Sequence, residues 1–77
     1  MKFTKKQGQY LAFIYNYTKI NGHPPAQRDM QYYFRVTPPS VHRMVLALEE
    51  GGLIRREPGA PRSIWVLVSP EELPYLE

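Results

Sequence analysis

The stretch TPPSVHRMVLALEEGGLI, residues 37–54, defines one short helix more sharply than any other part of the chain. Thr37 suits the N-cap, and Pro38 suits the first helical position, where a backbone amide has no intrahelical partner. Gly51 and Gly52 end the helix because glycine adopts the left-handed conformations in which helices terminate. The sequence therefore predicts a helix over residues 37–50 with one face to bury and one face to expose.

The two faces of this helix differ in composition. The apolar residues recur at helical spacing and predict a buried stripe of Val41, Met44, Val45 and Leu48. The opposite side is predicted to be exposed and carries Ser40, His42, Arg43, Leu46 and Ala47. An exposed α-helix fits the major groove of B-DNA, where its first turns reach the base edges. The hydroxyl, imidazole and guanidinium groups can read bases there, and an ordinary solvated helix face is the alternative interpretation.

Two further helices are predicted before this one. The first begins after Thr4, which can form a capping box with Gln7, and ends at Asn21-Gly22. Its expected apolar stripe is Tyr10, Phe13, Ile14, Tyr17 and Ile20. The second spans Gln27–Phe34, with Asp29 in a first turn where the helix dipole favours negative charge. Because so few residues separate the second and third helices, they must cross steeply, as in a helix-turn-helix.

Two β-rich runs follow the third helix, at residues 53–57 and 62–68, on either side of the turn Pro58-Gly59-Ala60-Pro61. Such runs around a Pro/Gly turn predict a hairpin. The fold class is therefore mainly α with a small β-hairpin: a winged helix-turn-helix of three helices plus a two-stranded wing, over residues 1–68. Residues 69–77 are predicted to form a short acidic C-terminal tail.

Charge is distributed unevenly along the chain. Residues 1–68 hold all ten Lys and Arg but only four of the seven Asp and Glu. A basic body with an acidic tail favours a polyanionic partner, while ordinary solvated charge is the alternative. We predict contacts to the DNA backbone, or through the wing, at Lys5, Lys6, Arg28, Arg55, Arg56, Gly59 and Arg62. A wing at residues 58–62 can follow the backbone or enter the minor groove, where negative potential attracts arginine.

Several other functional classes find little support in the sequence. There is no cysteine, and the two histidines and seven carboxylates lack metal-site spacing, so we expect no disulfide, metal or other cofactor. Without a Ser/His/Asp arrangement or a glycine-rich phosphate loop, we expect neither an enzyme nor a small-molecule substrate. No apolar run is long enough to cross a bilayer and no signal peptide is recognisable. We therefore expect a cytoplasmic, nucleoid-associated protein of a prokaryote or phage.

Two tyrosines leave other functions open. Tyr15 and Tyr32 do not fit the apolar stripes of their helices, so they are candidates for a protein contact or a hydrogen bond to phosphate. With Leu46 they would suit a winged helix that serves as a protein–protein interaction module. A non-specific DNA-binding accessory protein is a further alternative to a sequence-specific regulator.

Three segments of the chain resemble the N-terminal DNA-binding domain of the LexA repressor family. They are NGHPPAQRDM at residues 21–30, LALEEGGLIRR at residues 46–56 and GAPRSIWVL at residues 59–67. The Gly-x-Pro-Pro element and the Gly-Ala-x-Arg-x-Ile wing are fairly specific together. Short winged-helix proteins described as MarR-like regulators are similar along the whole chain, including a tail like Pro70–Leu73.

The LexA resemblance implies a winged helix-turn-helix that binds double-stranded DNA as a homodimer and acts as a transcriptional regulator of the repressor type. Carried over by position, the base-reading residues would be Thr37, Pro39, Ser40, His42 and Arg43, with the wing at Gly59–Arg62. The family carries Asn and acidic residues where this chain has Pro39, His42 and Arg43, so the resemblance implies a different operator. It does not extend to the family's self-cleaving Ser/Lys domain, and autoproteolysis is therefore not expected.

Overall fold

Three helices, a two-stranded hairpin and a 3-10 turn follow one another in the computed structural model, which describes residues 2–77. The elements are α1 (Lys5–Asn21), α2 (Gln27–Phe34), α3 (Pro38–Glu50), β1 (Ile54–Arg55), β2 (Trp65–Val66) and the 3-10 turn Pro70–Glu72. This order confirms the winged helix-turn-helix fold class. Among residues 2–77, none of the helices combines the length and apolarity needed to span a membrane.

The ends of α1 and α2 follow from local hydrogen bonding. The Gln7 amide donates to Thr4 Oγ1 at 3.1 Å and the Thr4 amide donates to Gln7 Oε1 at 2.9 Å, which confirms the capping box. Gly22 closes α1 with φ of 80°. Ala26 has no side chain to cap α2, and Asp29 compensates by accepting the Ala26 amide at 2.8 Å.

The start of α3 lacks a side-chain cap. Thr37 is the N-cap, as predicted, but its side chain makes no capping hydrogen bond. The reason is that Pro39 removes one of the amides that an N-cap side chain ordinarily accepts. The turn before it is tight: Arg35 adopts a left-handed conformation with φ of 56°, and the Val36 amide donates to Gln31 O at 3.2 Å.

The core lies between the three helices and the hairpin. Its buried members are Tyr10, Leu11, Phe13, Ile14, Met30, Val41, Val45, Leu48, Leu53, Ile54 and Ile64. Met44 packs against this core without being fully buried. The prediction that Ile20 belongs to the buried stripe of α1 is wrong, because Ile20 is 80% exposed. The last turn of α1, at residues 19–21, is exposed throughout and therefore extends beyond the core.

The hairpin is shorter than the sequence predicts. Ile54 pairs with Val66 and Arg55 with Trp65 in antiparallel register, so each strand has two residues instead of the predicted five and seven. The prolines in the connecting segment supply no amide for a ladder, and Gly59 and Arg62 have φ of 77° and 53°, which bend the backbone out of the extended conformation. The connection between the strands is consequently a long loop.

The tail folds back along α1. Gln9 donates from Nε2 to Tyr75 O at 2.9 Å and accepts the Glu77 amide on Oε1 at 2.8 Å. The Tyr33 hydroxyl donates to Glu77 O. A Cβ at Gly8 would lie 3.0 Å from Phe3 Cε1 and 3.1 Å from Pro74 Cγ, so glycine permits the close approach. The proposed domain boundary after residue 68 stays a prediction.

Candidate nucleic-acid interface

The outer face of α3 is open to solvent. Val41, Val45 and Leu48 are fully buried, and this fixes the rotation of the helix about its axis. The residues predicted to read bases then lie outward: Thr37, Pro39, His42 and Arg43 are exposed and Ser40 is half-buried. All five therefore lie at the N-cap and in the first two turns of α3.

Arg43 and His42 are available for an external partner. Neither side chain makes a hydrogen bond or an ion pair with any of residues 2–77. Residues 39, 42, 43 and 46 share one stripe because they are spaced by three, four and seven positions. Leu46, 43% exposed, adds an apolar surface of the kind that contacts a thymine methyl group. The stripe thus combines hydrogen-bonding and apolar groups that match base edges.

Lys5 and Lys6 lie close to the start of this helix. Both are exposed, and both line a groove of about 800 Å³ that also contains Val36, the residue before the α3 N-cap. Tyr33 and Phe34, at the end of α2, form its apolar wall, and Glu77 also lines it. The fold therefore places Lys5 and Lys6, at the start of α1, in the same groove as Val36, in the turn of the helix-turn-helix. About thirty residues separate them in the sequence.

The two arginines of the first strand have different environments. Arg55 is exposed, and its only ion pair in the described part of the chain is with Glu57 at 3.9 Å. Arg56 is partly buried and donates from Nε to Glu49 Oε1 at 3.0 Å. Arg55, in β1, thus faces outward, whereas Arg56, directly after β1, is held by a carboxylate. The ion pair of Arg56 joins the end of α3 to the base of the wing.

Arg62 turns back onto the protein. Its Nη1 donates to Tyr17 Oη at 2.9 Å and to Asp29 Oδ2 at 3.1 Å. The hydrogen bond to Tyr17 is the main cause that raises the pKa of Arg62 above its ordinary value, and the nearby Asp29 carboxylate acts in the same direction. Its assignment as a DNA contact stays a prediction, and the geometry supplies a second role, as a link between the wing and the helices.

The tip of the wing is uncharged. Pro58, Gly59, Ala60 and Pro61 are all exposed, and the Ala60 amide donates to Glu57 O at 3.1 Å to close the turn. Ser63 Oγ accepts the Glu57 amide at 3.1 Å and donates to Ala60 O at 2.8 Å. The loop therefore has internal hydrogen bonds of its own and presents a narrow, apolar surface.

The first turn of α2 lies beside the wing. Ala26 and Gln27 share a groove of about 370 Å³ with Gly59 and Arg62. Arg28, one residue further along α2, is exposed and has no ion pair with residues 2–77. It is therefore free for the predicted backbone contact. In the same described range, no three His, Cys, Asp or Glu residues are grouped as metal ligands.

Sequence reasoning missed three residues that organise this interface. Tyr17 was interpreted as core and Asp29 as a partner of the helix dipole, whereas both also hold Arg62. Gln9, which binds the backbone of the tail, was not singled out. Their partners lie 33 to 68 positions away in sequence, so no local periodicity could have indicated them.

Comparison with known proteins gives a consistent result. The family described as LexA DNA binding domain matches residues 1–63. The chain is 42% identical over 72 residues to the LexA repressor of Thermosipho melanesiensis, covering 94% of this chain and 36% of that protein. For the LexA repressor of Thermosipho africanus the identity is 41% over 70 residues, covering 91% and 35%. For that of Bartonella quintana it is 40% over 73 residues, covering 94% and 31%. The chain thus spans about a third of the length of these relatives.

Proposed function

Because this chain belongs to the LexA DNA-binding domain family, we propose that it binds double-stranded DNA with sequence specificity and acts as a small transcriptional repressor. In this proposal α3 enters the major groove, and the wing lies on the adjacent backbone or in the minor groove. The chain acts by binding rather than by catalysis. A match to MarR-like regulators stays a prediction.

The single observation that carries the proposal is the open face of α3. Arg43 and His42 are exposed and unpaired within residues 2–77, in the second turn of a helix whose opposite face carries the fully buried Val41, Val45 and Leu48. A guanidinium in this place can bind O6 and N7 of guanine in a bidentate contact, worth roughly 1–3 kcal/mol of discrimination. We expect the operator to differ from that of family members, because the groove-facing residues differ at positions 39, 42 and 43.

The flanking cations would supply the sequence-independent part of the affinity. Lys5 and Lys6 lie at the groove next to the start of α3, so they would contact phosphates on one side of the recognition helix. Arg28 and Arg55, both exposed, would contact phosphates toward the wing. Contacts of this kind orient the protein on the duplex and leave base recognition to α3.

A second copy of the chain would complete the site. One recognition helix reads only a few base pairs, and two helices related by a two-fold axis read half-sites about 34–36 Å apart. The curated relatives are named repressors, and we propose that this chain acts as a homodimer on a two-fold operator. Its place of action would be the DNA of the cytoplasm, as part of the nucleoid.

The proposal is tested by selecting binding sites from a random duplex pool and measuring affinity for the recovered site and for a scrambled duplex. Arg43→Ala is expected to weaken the recovered site by about 1–3 kcal/mol more than the scrambled one. Arg43→Lys keeps the charge but loses the planar fork, so it should lose discrimination while retaining binding to the scrambled duplex. Equal losses on both duplexes for Arg43→Ala would refute base reading by this residue.

A matched pair of lysine variants controls for charge. Lys6→Ala should weaken both duplexes alike, because a phosphate contact is independent of sequence. Lys19→Ala removes the same charge from the exposed last turn of α1, about 20 Å along the helix, and should have little effect. A wild-type chain that binds neither duplex at low salt would contradict the proposal as a whole.

A protein-interaction module is the second candidate, and one observation favours it. Tyr32 is 77% exposed on α2 and does not pack against the core, so its ring and hydroxyl are open to a partner. In that case Tyr32→Ser would abolish capture of a specific protein and would leave duplex binding unchanged.

A further inference from the structure

The long loop between the strands is tied to both of the first two helices by one side chain. Arg62 Nη1 makes two contacts, with Tyr17 Oη on α1 at 2.9 Å and with Asp29 Oδ2 on α2 at 3.1 Å. The guanidinium carbon also lies 6.0 Å from the centre of the Tyr17 ring. The three residues come from three different elements, and the contacts span 45 and 33 positions of sequence.

Asp29 connects this link to the helix-turn-helix itself. The oxygen that binds Arg62, Oδ2, also accepts the Ala26 amide at 2.8 Å and so caps α2. About one third of the Arg62 side chain and less than a quarter of the Asp29 side chain are exposed, so the pair is partly screened from water. Charge-assisted hydrogen bonds in such surroundings restrain orientation more than pairs in open solvent do.

The backbone of Arg62 supports the same conclusion. Its φ of 53° is left-handed, and Arg35 is the one other non-glycine residue among residues 2–77 with a positive φ. Non-glycine residues keep this conformation only where the surrounding structure over-determines it. At Arg62 the guanidinium contacts act together with the hydrogen bonds of the neighbouring Ser63 Oγ to hold this conformation.

We propose that Arg62 is a positioning residue that holds the wing against α1 and α2 through Tyr17 and Asp29, and so sets where the tip Pro58–Pro61 lies relative to α3. The effect of this link on duplex binding rests on the proposed DNA-binding function. The link itself concerns the free protein alone. Arg62 thereby sets where the wing lies relative to α3 without itself neutralising a phosphate.

The competing role is a phosphate contact by Arg62, which would require its guanidinium to be available to the DNA. Nη1 already donates to two protein oxygens, which leaves only Nη2 and Nε for a phosphate and fixes where those two nitrogens lie. Arg55, at the base of the wing, has the same charge and is exposed, with a single distant pair. It is the matched control, because loss of its charge removes a phosphate contact without disturbing the link to the helices.

The first test uses the free protein. Backbone amide spectra and hydrogen exchange are recorded for the wild type, Arg62→Met, Tyr17→Phe, Asp29→Asn and the control Arg55→Met. Tyr17→Phe is the most selective change because it removes only the hydroxyl. The first three variants are expected to shift the amides of Gly59, Ala60, Arg62 and Ser63 in the same direction and to speed exchange at Ala60, whose amide closes the turn. Wing amides that match the wild type in Tyr17→Phe and Arg62→Met would overturn the proposal.

The second test uses duplex binding by the folded variants. Each phosphate contact that is lost lowers the slope of log affinity against log salt by about 0.9. Arg55→Met should show that decrease, whereas Arg62→Met should keep the slope and lose affinity about two- to tenfold, the range expected when one or two hydrogen bonds are removed. Tyr17→Phe should reproduce the Arg62→Met loss although it changes no charge.

Footprinting separates the two roles further. With Arg62→Met, protection of the sugars under the wing should disappear while protection under α3 remains. A lower salt slope with intact wing protection would instead make Arg62 a phosphate contact and overturn the inference. If the wild-type chain bound no duplex, the proposed function would fail, and the spectra of the free protein would still decide whether Arg62 positions the wing.

Discussion

The dependence of DNA affinity on salt can be worked out from the ion pairs of the structure. Six cationic side chains are predicted to contact the backbone, and they are Lys5, Lys6, Arg28, Arg55, Arg56 and Arg62. Arg56 and Arg62 are held by Glu49 and Asp29 at 3.0 and 3.1 Å. The four others are exposed, and the 3.9 Å pair of Arg55 with Glu57 is too open to hold it back.

Each phosphate contact contributes about 0.9 to the slope of log affinity against log salt, so four free cations give a slope of about 3.6 per chain and six give about 5.4. Raising salt from about 50 to about 200 mM should therefore weaken binding by about 150-fold per chain, whereas six contacts would weaken it by about 1,800-fold. The difference is large enough to measure directly.

The assay is a fluorescence-anisotropy titration of a labelled duplex at several salt concentrations, with the number of bound chains measured by analytical ultracentrifugation. Lys6→Ala is expected to lower the slope by about 0.9, and Lys19→Ala, at the far end of α1, is expected to leave it unchanged. A wild-type slope near 5.4 per chain would show that Arg56 and Arg62 leave their carboxylates to reach phosphates. A slope near 1 would refute a backbone-dominated interface.

Three further predictions concern the folded chain. Burial raises the pKa of Tyr10 above its ordinary value of 10.0, because the neutral phenol is favoured in the folded state. The resulting contribution to the free energy of unfolding is complete below pH 10 and is lost as pH rises through the folded-state pKa. Urea unfolding at pH 9 and at higher pH should show this loss, and Tyr10→Phe should reduce it; an equal loss in both proteins would contradict the assignment. Thr4→Ala breaks the capping box and should lower the free energy of unfolding by about 1 kcal/mol. Gln7→Ala in the Thr4→Ala background should then lower it little further. A second loss of the same size would show that the two hydrogen bonds act independently. Met30→Ala removes a fully buried side chain and should cost about 2–5 kcal/mol, measured by thermal or urea unfolding, while Arg43→Lys on the exposed face should change stability by less than about 0.5 kcal/mol.

The helix boundaries were accessible from sequence because their causes are local. Thr4 and Gln7 are three residues apart, Gly22 supplies the left-handed end of α1, and α2 spans the predicted range. The exposed face of α3 follows from the spacing of Val41, Val45 and Leu48, since a buried stripe leaves the opposite side free. The fold class and the outward position of the residues proposed to read bases were therefore predictable.

The interactions that decide how the interface is assembled are not local. The wing strands are shorter than their β-rich sequence predicts, because the prolines and the left-handed residues of the loop leave few amides for pairing. Arg62 has the same charge as Arg55 in the sequence, yet one binds Tyr17 and Asp29 and the other faces solvent. Composition and periodicity report which residues are apolar or charged, but contacts across 33 or 45 positions depend on how the helices pack. Sequence alone thus determined the secondary-structure elements and the exposed face of α3. Only the tertiary structure decided which cationic side chains are free of a carboxylate partner and open to a phosphate.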